Sequence, residues 1–137
     1  MAFLRRLLTG SGRLPDDLRT ALEAEGIVLL LEELPGSTTY RNYRAPGKRS
    51  NWKKQGTSGA IAVTGRRVVA WTSFNGREVD VPRDGPLPDG LEVVREDDAV
   101  CFTYDAAAFH ADRSGTVEVR LRTDEAGQVV ALATAGR

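Results

Sequence analysis

Residues 59–71, with the sequence Gly-Ala-Ile-Ala-Val-Thr-Gly-Arg-Arg-Val-Val-Ala-Trp, decide the fold class of this chain. Two apolar runs rich in β-branched residues flank a Gly-Arg-Arg turn, which is the pattern of a hairpin between buried strands. Asn75-Gly76 follows, a dipeptide that favours a type I′ turn because both central positions of that turn need positive φ. The segment therefore predicts consecutive antiparallel strands, the third of them over Arg77–Pro82, and not a βαβ unit.

Working outward from this meander, the sequence predicts further short strands on both sides. The predicted strands are Ile27–Leu31, Thr38–Arg44, Leu91–Arg95, Ala99–Tyr104 and Thr116–Arg122, and the predicted loops are Ala45–Ser58, 82–90 and Asp105–Gly115. Pro35-Gly36 is interpreted as the punctuation that ends the first strand. About seven strands with frequent turns are typical of a small antiparallel barrel or sandwich.

Helical segments are expected at the two ends. Pro15 and the acids that follow it suit the first turn of a helix over about 15–25, and Gly26 suits its end. Its predicted apolar face consists of Leu14, Leu18, Ala21 and Leu22. Residues 123–136 fit two structures: a helix with Thr123 as N-cap, or a hairpin, since Gly127 and Val129-Val130 weaken the helix.

Two segments resemble bacterial pleckstrin-homology-like and GRAM-type domains. The stretch Gly59–Trp71 is similar to their strand-turn-strand signature, and Ser114–Thr123 is similar to their last strand. The resemblance implies a mainly β fold: a bent antiparallel barrel of about seven strands closed by a C-terminal capping helix, which favours helix for 123–136. It also implies a scaffold that binds lipids, phosphopeptides or proteins, and not an enzyme. Such an analogy leaves the ligand open.

Length and composition predict one domain without disulfides. The chain of 137 residues divides into an arm over 1–13, flexible or amphipathic, and a single domain over 14–137. Cys101 is the single cysteine, so a cytoplasmic setting is expected. In the arm, Phe3, Leu4, Leu7 and Leu8 surround Arg5-Arg6, which together with a second signal would give peripheral membrane contact.

Charge is segregated along the chain although the formal net charge is zero. Residues 34–77 contain nine basic and no acidic residues, whereas residues 78–112 contain ten acids and two arginines. The two blocks could pair within one monomer, or lie on opposite faces and drive head-to-tail homo-oligomers or docking to a charged partner. Zero net charge makes nucleic acid an unlikely partner.

The basic block concentrates in one aromatic-bearing loop, Tyr40–Lys54, which is the candidate ligand-binding site. Its predicted binding residues are Arg41, Arg44, Lys48, Arg49, Trp52, Lys53 and Lys54. Cations offer charge-assisted hydrogen bonds to phosphate or carboxylate, and Trp52 suits a membrane interface. The alternative is a solvated loop whose cations pair with the acidic block.

No catalytic residue, metal site or cofactor is predicted. Cys101 and His110 are a weak nucleophile-base pair, because Cys101 lies in an apolar strand where cysteine is usually buried, and one Cys with one His cannot bind zinc. The expected function is a non-catalytic binding module for a protein or an anionic lipid surface. The alternative is a small barrel that holds a small molecule or acts as a hydrolase. A core of Ile61, Val63, Val69, Trp71, Val119 and Leu121 under a terminal helix would favour the first, and a polar cavity near His110 would favour the second.

Overall fold

The computed structural model describes residues 11–134, which form a single seven-stranded antiparallel sheet with three helices. In chain order the elements are α1 (Asp16–Glu25), β1 (Ile27–Ala45), β2 (Lys48–Thr64), β3 (Arg67–Thr72), β4 (Gly76–Pro82), β5 (Leu91–Glu96), β6 (Ala99–Asp105), α2 (Ala106–Phe109), β7 (Ser114–Arg122) and α3 (Ala126–Thr134). The strand order is β4-β3-β2-β1-β7-β6-β5. The sheet curls into a half-barrel, which confirms the predicted mainly β class.

The concave face of the sheet holds the main core. Alternate residues of the strands point inward, so that Ile61, Val63, Val119 and Leu121 pack together around fully buried Phe102. The last segment is a helix, and in the turn before it Thr123 Oγ1 accepts a hydrogen bond from the Glu125 N–H (3.1 Å). The helix α3 then adds Ala126, Val129 and Ala133 to this core, which closes one end of the half-barrel.

A second, smaller core lies on the opposite face of the sheet, under α1. It consists of Leu14, Leu22, Ala60, Ala62 and Val69, with Leu18 and Trp71 packed against it. The prediction that Val69 and Trp71 fill the barrel is therefore wrong: with period-two alternation they face α1 while Val68 and Ala70 face inward. Phe74, which follows β3, is exposed.

The helix α1 agrees closely with its prediction. It begins at Asp16 after Pro15 and ends at Gly26, which has φ +88° and donates its N–H to the Glu23 carbonyl (3.1 Å). Ala21 of the predicted apolar face is exposed. Residues 1–10, which include the arm's basic-apolar segment, and residues 135–137 lie outside the described residues.

Pro35-Gly36 does not end a strand, because β1 continues through it for 19 residues. A register shift between Leu31 and Leu34, with Glu33 at φ +59°, marks a bulge there. Gly36 then pairs with both β2 and β7, and a Cβ at this position would lie 1.8 Å from the Arg120 carbonyl oxygen. Glycine is needed for close strand approach, not for a turn.

Two other local predictions need correction. The turn before Gly76 exists, but positive φ occurs only at Gly76 and not at Asn75, so it is not of type I′. The predicted loop after Asp105 begins with the short helix α2, whose first turn is capped by the Asp105 side chain accepting from the Ala107 N–H (3.0 Å).

Candidate functional site

The predicted basic loop is not a loop but the tip of a long hairpin. Strands β1 and β2 stay paired up to Ala45 and Lys48, and Gly47 makes the turn with φ +74°. Strand β3 pairs with β2 only from Gly59 onward, and Ser58 accepts a hydrogen bond from the Ser73 N–H (2.8 Å), so the stretch paired with β1 alone covers residues 48–56. This free-edged half of β2 lacks an apolar pattern because solvent surrounds much of it, which is why its sequence resembles a loop.

The predicted site residues divide between two parts of this hairpin tip. Lys48, Arg49 and Lys53 line a cavity at the open end of the half-barrel. The other four, which are Arg41, Arg44, Trp52 and Lys54, do not line it. Arg41 and Trp52 are register partners across the β1–β2 ladder, and the Trp52 side chain is 63% exposed.

The two charge blocks pair only in part. Arg67 and Arg77 of the basic block share Asp80 of the acidic block at 2.8 and 3.0 Å, whereas Arg41 lies 3.4 Å from Glu118, which belongs to neither block. Within residues 11–134, no ion pair involves the five remaining cations of the hairpin tip, Arg44, Lys48, Arg49, Lys53 and Lys54. The positive charge therefore persists at one end of the molecule.

A bulge in β1 brings two tyrosines to the cavity. The β1–β7 register shifts between Arg41 and Arg44, and Asn42 has φ +51°. As a result Tyr40 and Tyr43, three residues apart, both face the cavity with ring centroids 4.9 Å apart. Tyr40 also accepts a hydrogen bond from the Asn75 side-chain amide, which connects the hairpin to the β3–β4 turn.

The cavity has a volume of about 1030 Å³, and most of its charged lining side chains are cations. Its walls come from the hairpin tip, the β3–β4 turn, β4, β6 and the segment after α2. Its charged side chains are Lys48, Arg49, Lys53, Arg77, Arg113, Glu78 and Asp112, with His110 beside them. We call this the mouth cavity. Arg77 is paired with Asp80 and Arg113 lies 3.7 Å from Asp112.

Glu78 is the functional candidate that sequence reasoning missed. The alternation of Arg77–Pro82 places Val79 and Val81 inward and Glu78 outward. However, Ala70 pairs with Val79 and Trp71 with Arg77, so Glu78 is the extra residue of a β-bulge and lines the mouth cavity. Such a bulge leaves no mark in this alternating sequence.

The Glu78 carboxyl has a buried oxygen without a hydrogen-bond partner in residues 11–134 and a raised pKa. Its Oε2 has no hydrogen-bond partner within the described residues. Burial raises the pKa of Glu78 to about 7, against hydrogen bonding by Asn75 and Tyr104 and the charge of Arg113. Burial and the nearby Glu78 also raise the pKa of Tyr104. Such perturbed groups in a concave site are typical of functional positions.

A second, smaller cavity of about 340 Å³ adjoins the first between the edge strand β4 and β5–β6. Its apolar wall comes from Val79, Val81, Leu91 and Phe109, after which we call it the apolar slot, and Asp80 lines it as well. The Phe109 ring packs edge-on against Tyr104 with centroids 5.8 Å apart. The two cavities share Arg77, Glu78, Tyr104 and His110.

The structure does not place the side chains of Cys101 and His110 in a common site. Cys101 is 1% exposed, and its Sγ lies 3.6 Å from Arg120 Nη1. Burial raises the pKa of its thiol, which disfavours the nucleophilic thiolate. His110 is exposed and lines both cavities, from which Cys101 is absent.

Neither a metal-binding cluster nor a membrane-spanning helix is present in residues 11–134. Between residues 11 and 134, no three His, Cys, Asp or Glu side chains are grouped so as to hold a metal ion. No helix in the same part of the chain is long and apolar enough to cross a membrane.

The fold and site together define a curled antiparallel half-barrel, closed at one end by a helix and open at the other. No protein-family model matches the chain, and no curated protein matches it. The resemblance to pleckstrin-homology-like domains therefore stays a prediction.

Proposed function

We propose that the protein is a non-catalytic binding module whose hairpin tip binds an anionic lipid surface. The observation that carries this proposal is the group of five cations at the tip, none of them in an ion pair within the described residues, beside exposed Trp52. Each basic residue near an anionic membrane contributes about 1 kcal/mol, and tryptophan favours the headgroup region.

The geometry of the hairpin supports this function further. Residues 48–56 pair with β1 alone, so the cations lie at an end of the molecule that no other strand of the described part covers. The seven strands and terminal helix also agree with the architecture that the family resemblance implies. Lysines on a free strand edge have a second use, since they prevent edge-to-edge pairing.

Vesicle co-sedimentation tests the proposal with cations that do not line the mouth cavity. Wild type and an Arg44→Gln/Lys54→Gln variant are compared on phosphatidylcholine vesicles with and without phosphatidylserine. At about 1 kcal/mol per cation, the variant should bind roughly thirtyfold more weakly to the anionic vesicles. An Arg13→Gln/Arg66→Gln variant, which removes two exposed cations away from the tip, is the matched control.

Three results would overturn the surface function. One is equal binding of the wild type and the Arg44/Lys54 variant. Another is displacement by soluble glycerol phosphate at concentrations that leave ionic strength unchanged, which would make the free phosphate group the ligand. The third is that the Arg44/Lys54 variant aggregates and sediments without lipid but binds vesicles as the wild type does. The cations would then serve to prevent edge-to-edge pairing of strands.

The alternative, a half-barrel that holds a small molecule, has one observation in its favour. The mouth cavity is polar and lies beside His110, while the aliphatic core fills the interior of the half-barrel. A small-molecule ligand would thus bind at the open end and not in the centre of the half-barrel.

A further inference from the structure

The mouth cavity and the apolar slot adjoin each other and have different linings. Arg77, Glu78, Tyr104 and His110 line both, so the two cavities meet at these side chains. The volumes, about 1030 and 340 Å³, lie in the range of small-molecule pockets, which are roughly 300–1,000 Å³. A polar part of the ligand would lie in the mouth and an apolar part in the slot.

Glu78 stands where the two linings meet. The bulge in β4 turns its carboxyl inward, and its buried Oε2 lacks a hydrogen-bond partner within residues 11–134. A buried polar atom without a partner is unfavourable, so a ligand that supplies one binds more tightly. Protonated, this carboxyl donates one hydrogen bond; ionised, it only accepts.

The charges around Glu78 favour an anion as its partner. The titratable and charged groups that face the mouth are Tyr40 and Tyr43 on β1, Lys48, Arg49 and Lys53 on β2, Arg77 on β4, Tyr104 on β6, and His110, Asp112 and Arg113 after α2. In the mouth, five cations thus oppose two carboxyls, and Asp80, which lines the slot, adds a third carboxyl that is paired with Arg77. Three of those cations, on β2, have no ion pair within the described residues. An ionised Glu78 would repel an anionic ligand, whereas a protonated one can donate to it.

We propose that the joined cavities bind a small amphiphilic carboxylate, with its apolar body in the slot and its carboxylate accepting a hydrogen bond from protonated Glu78. One proton is taken up from solvent by Glu78 when the ligand binds, and no bond of the ligand is broken. A carboxylate paired with a carboxyl forms a strong charge-assisted O–H···O⁻ bond. Val79, Val81, Leu91 and Phe109 supply a surface that suits a ring or short alkyl chain.

This inference does not depend on the lipid-surface function, because that function is tested through Arg44 and Lys54, which line neither cavity. Loss of vesicle binding with carboxylate binding intact would reject only the surface function. Loss of carboxylate binding with vesicle binding intact would reject only the site inferred here.

Isothermal titration calorimetry with hydrocinnamate, an aryl carboxylate, tests the site between about pH 6 and pH 8. Because the pKa of Glu78 is about 7, wild-type affinity should be about tenfold higher at the lower pH. Titrations in buffers of different ionisation enthalpy should show uptake of up to one proton. Hydrocinnamamide, which has the same body without the charge, should bind without this proton uptake.

The Glu78→Gln variant keeps the side-chain volume and imitates the protonated form. Its affinity for hydrocinnamate should not change with pH between about pH 6 and pH 8. A Glu92→Gln variant, exposed on β5, is the matched control and should behave as wild type. Because histidine also titrates near neutrality, a His110→Asn variant is required, and it should keep the pH dependence of the wild type.

Absence of hydrocinnamate binding to the wild type would overturn the proposal. It would also be overturned by a pH dependence that survives in Glu78→Gln, or that disappears in His110→Asn. Should Glu78→Gln fail to fold, proton uptake by the wild type and the His110→Asn variant still decides the matter.

Discussion

Arg67 on β3 and Glu25 at the end of α1 form an ion pair, with Arg67 Nη2 and Glu25 Oε2 2.8 Å apart. Arg67 Nε also donates to Glu25 Oε1, and the hydroxyl of Thr64 donates to the same oxygen. Arg67 binds Asp80 of β4 as well, so one guanidinium connects the N-terminal helix to two strands. This contact fixes the helix over the second core.

Removal of that contact should loosen α1. The hydrogen bond from Arg67 lowers the pKa of Glu25, so the pair's contribution to stability is present above the unfolded pKa, near 4.5, and is lost as pH falls through the lower folded value. We expect Arg67→Met to lower the Tm at neutral pH and to do so less in acid. Thermal unfolding followed by circular dichroism checks this, and an equal Tm loss at all pH values would contradict it.

Gly36 should tolerate substitution far less well than its partial exposure suggests. An added Cβ would meet the Arg120 carbonyl oxygen at 1.8 Å, a backbone atom that cannot move without separating β1 from β7. Gly36→Ala should cost more than about 3 kcal/mol of unfolding free energy. The control is Gly65→Ala, where nothing lies within 4 Å. Urea denaturation measures both, and similar values for the two variants would refute the close approach.

Trp52 should contribute to the binding of lipid vesicles and not to the free energy of unfolding. Its side chain is 63% exposed on the free-edged hairpin, so Trp52→Ala should change the unfolding free energy by no more than about 0.5 kcal/mol. On anionic vesicles, the wild type should show a blue shift of tryptophan emission that the variant lacks, since Trp71 is packed under α1. A shift of equal size in the variant would exclude contact of Trp52 with lipid.

Glu78 should make the protein less stable as pH rises. Its folded pKa, about 7, lies above the ordinary value of 4.5, so the folded state binds more protons between these pH values and loses stability through that window. The loss is about 3 kcal/mol. Glu78→Gln should therefore be more stable than wild type at about pH 8 and little different at about pH 4.5. Denaturation at both pH values gives the difference, and a constant difference would contradict the burial of this carboxyl.

Charge-driven head-to-tail association remains a prediction. The basic tip keeps five cations without an ion pair in the described chain, and the exposed acids Asp84, Asp89 and Glu92 lie in the acidic block. An assembly held by these charges should dissociate as salt screens them. Light scattering should show a larger mass at low salt than at high salt, and an unchanged mass would exclude the assembly.

Much of the fold follows from the sequence because its signals are local. The alternation of Thr116–Arg122 predicts β7, and the Pro15–Gly26 pattern predicts α1, since side-chain period and capping act within a few residues. The choice between helix and hairpin after Thr123 was not local: the core on β5 and β6 buries Val129 and Ala133 of the helix. Another non-local effect concerns the predicted loop Ala45–Ser58, most of which is strand because it pairs with β1.

The sequence by itself determined the strand class, the first helix and the concentration of cations between Tyr40 and Lys54. Only the tertiary structure decided which of those cations share a cavity, because Lys48, Arg49 and Lys53 meet Glu78 and His110 through pairing of distant strands. It also decided the direction of Glu78. A β-bulge depends on the register between two strands, and register is set by packing of the whole sheet and not by the residues of one strand.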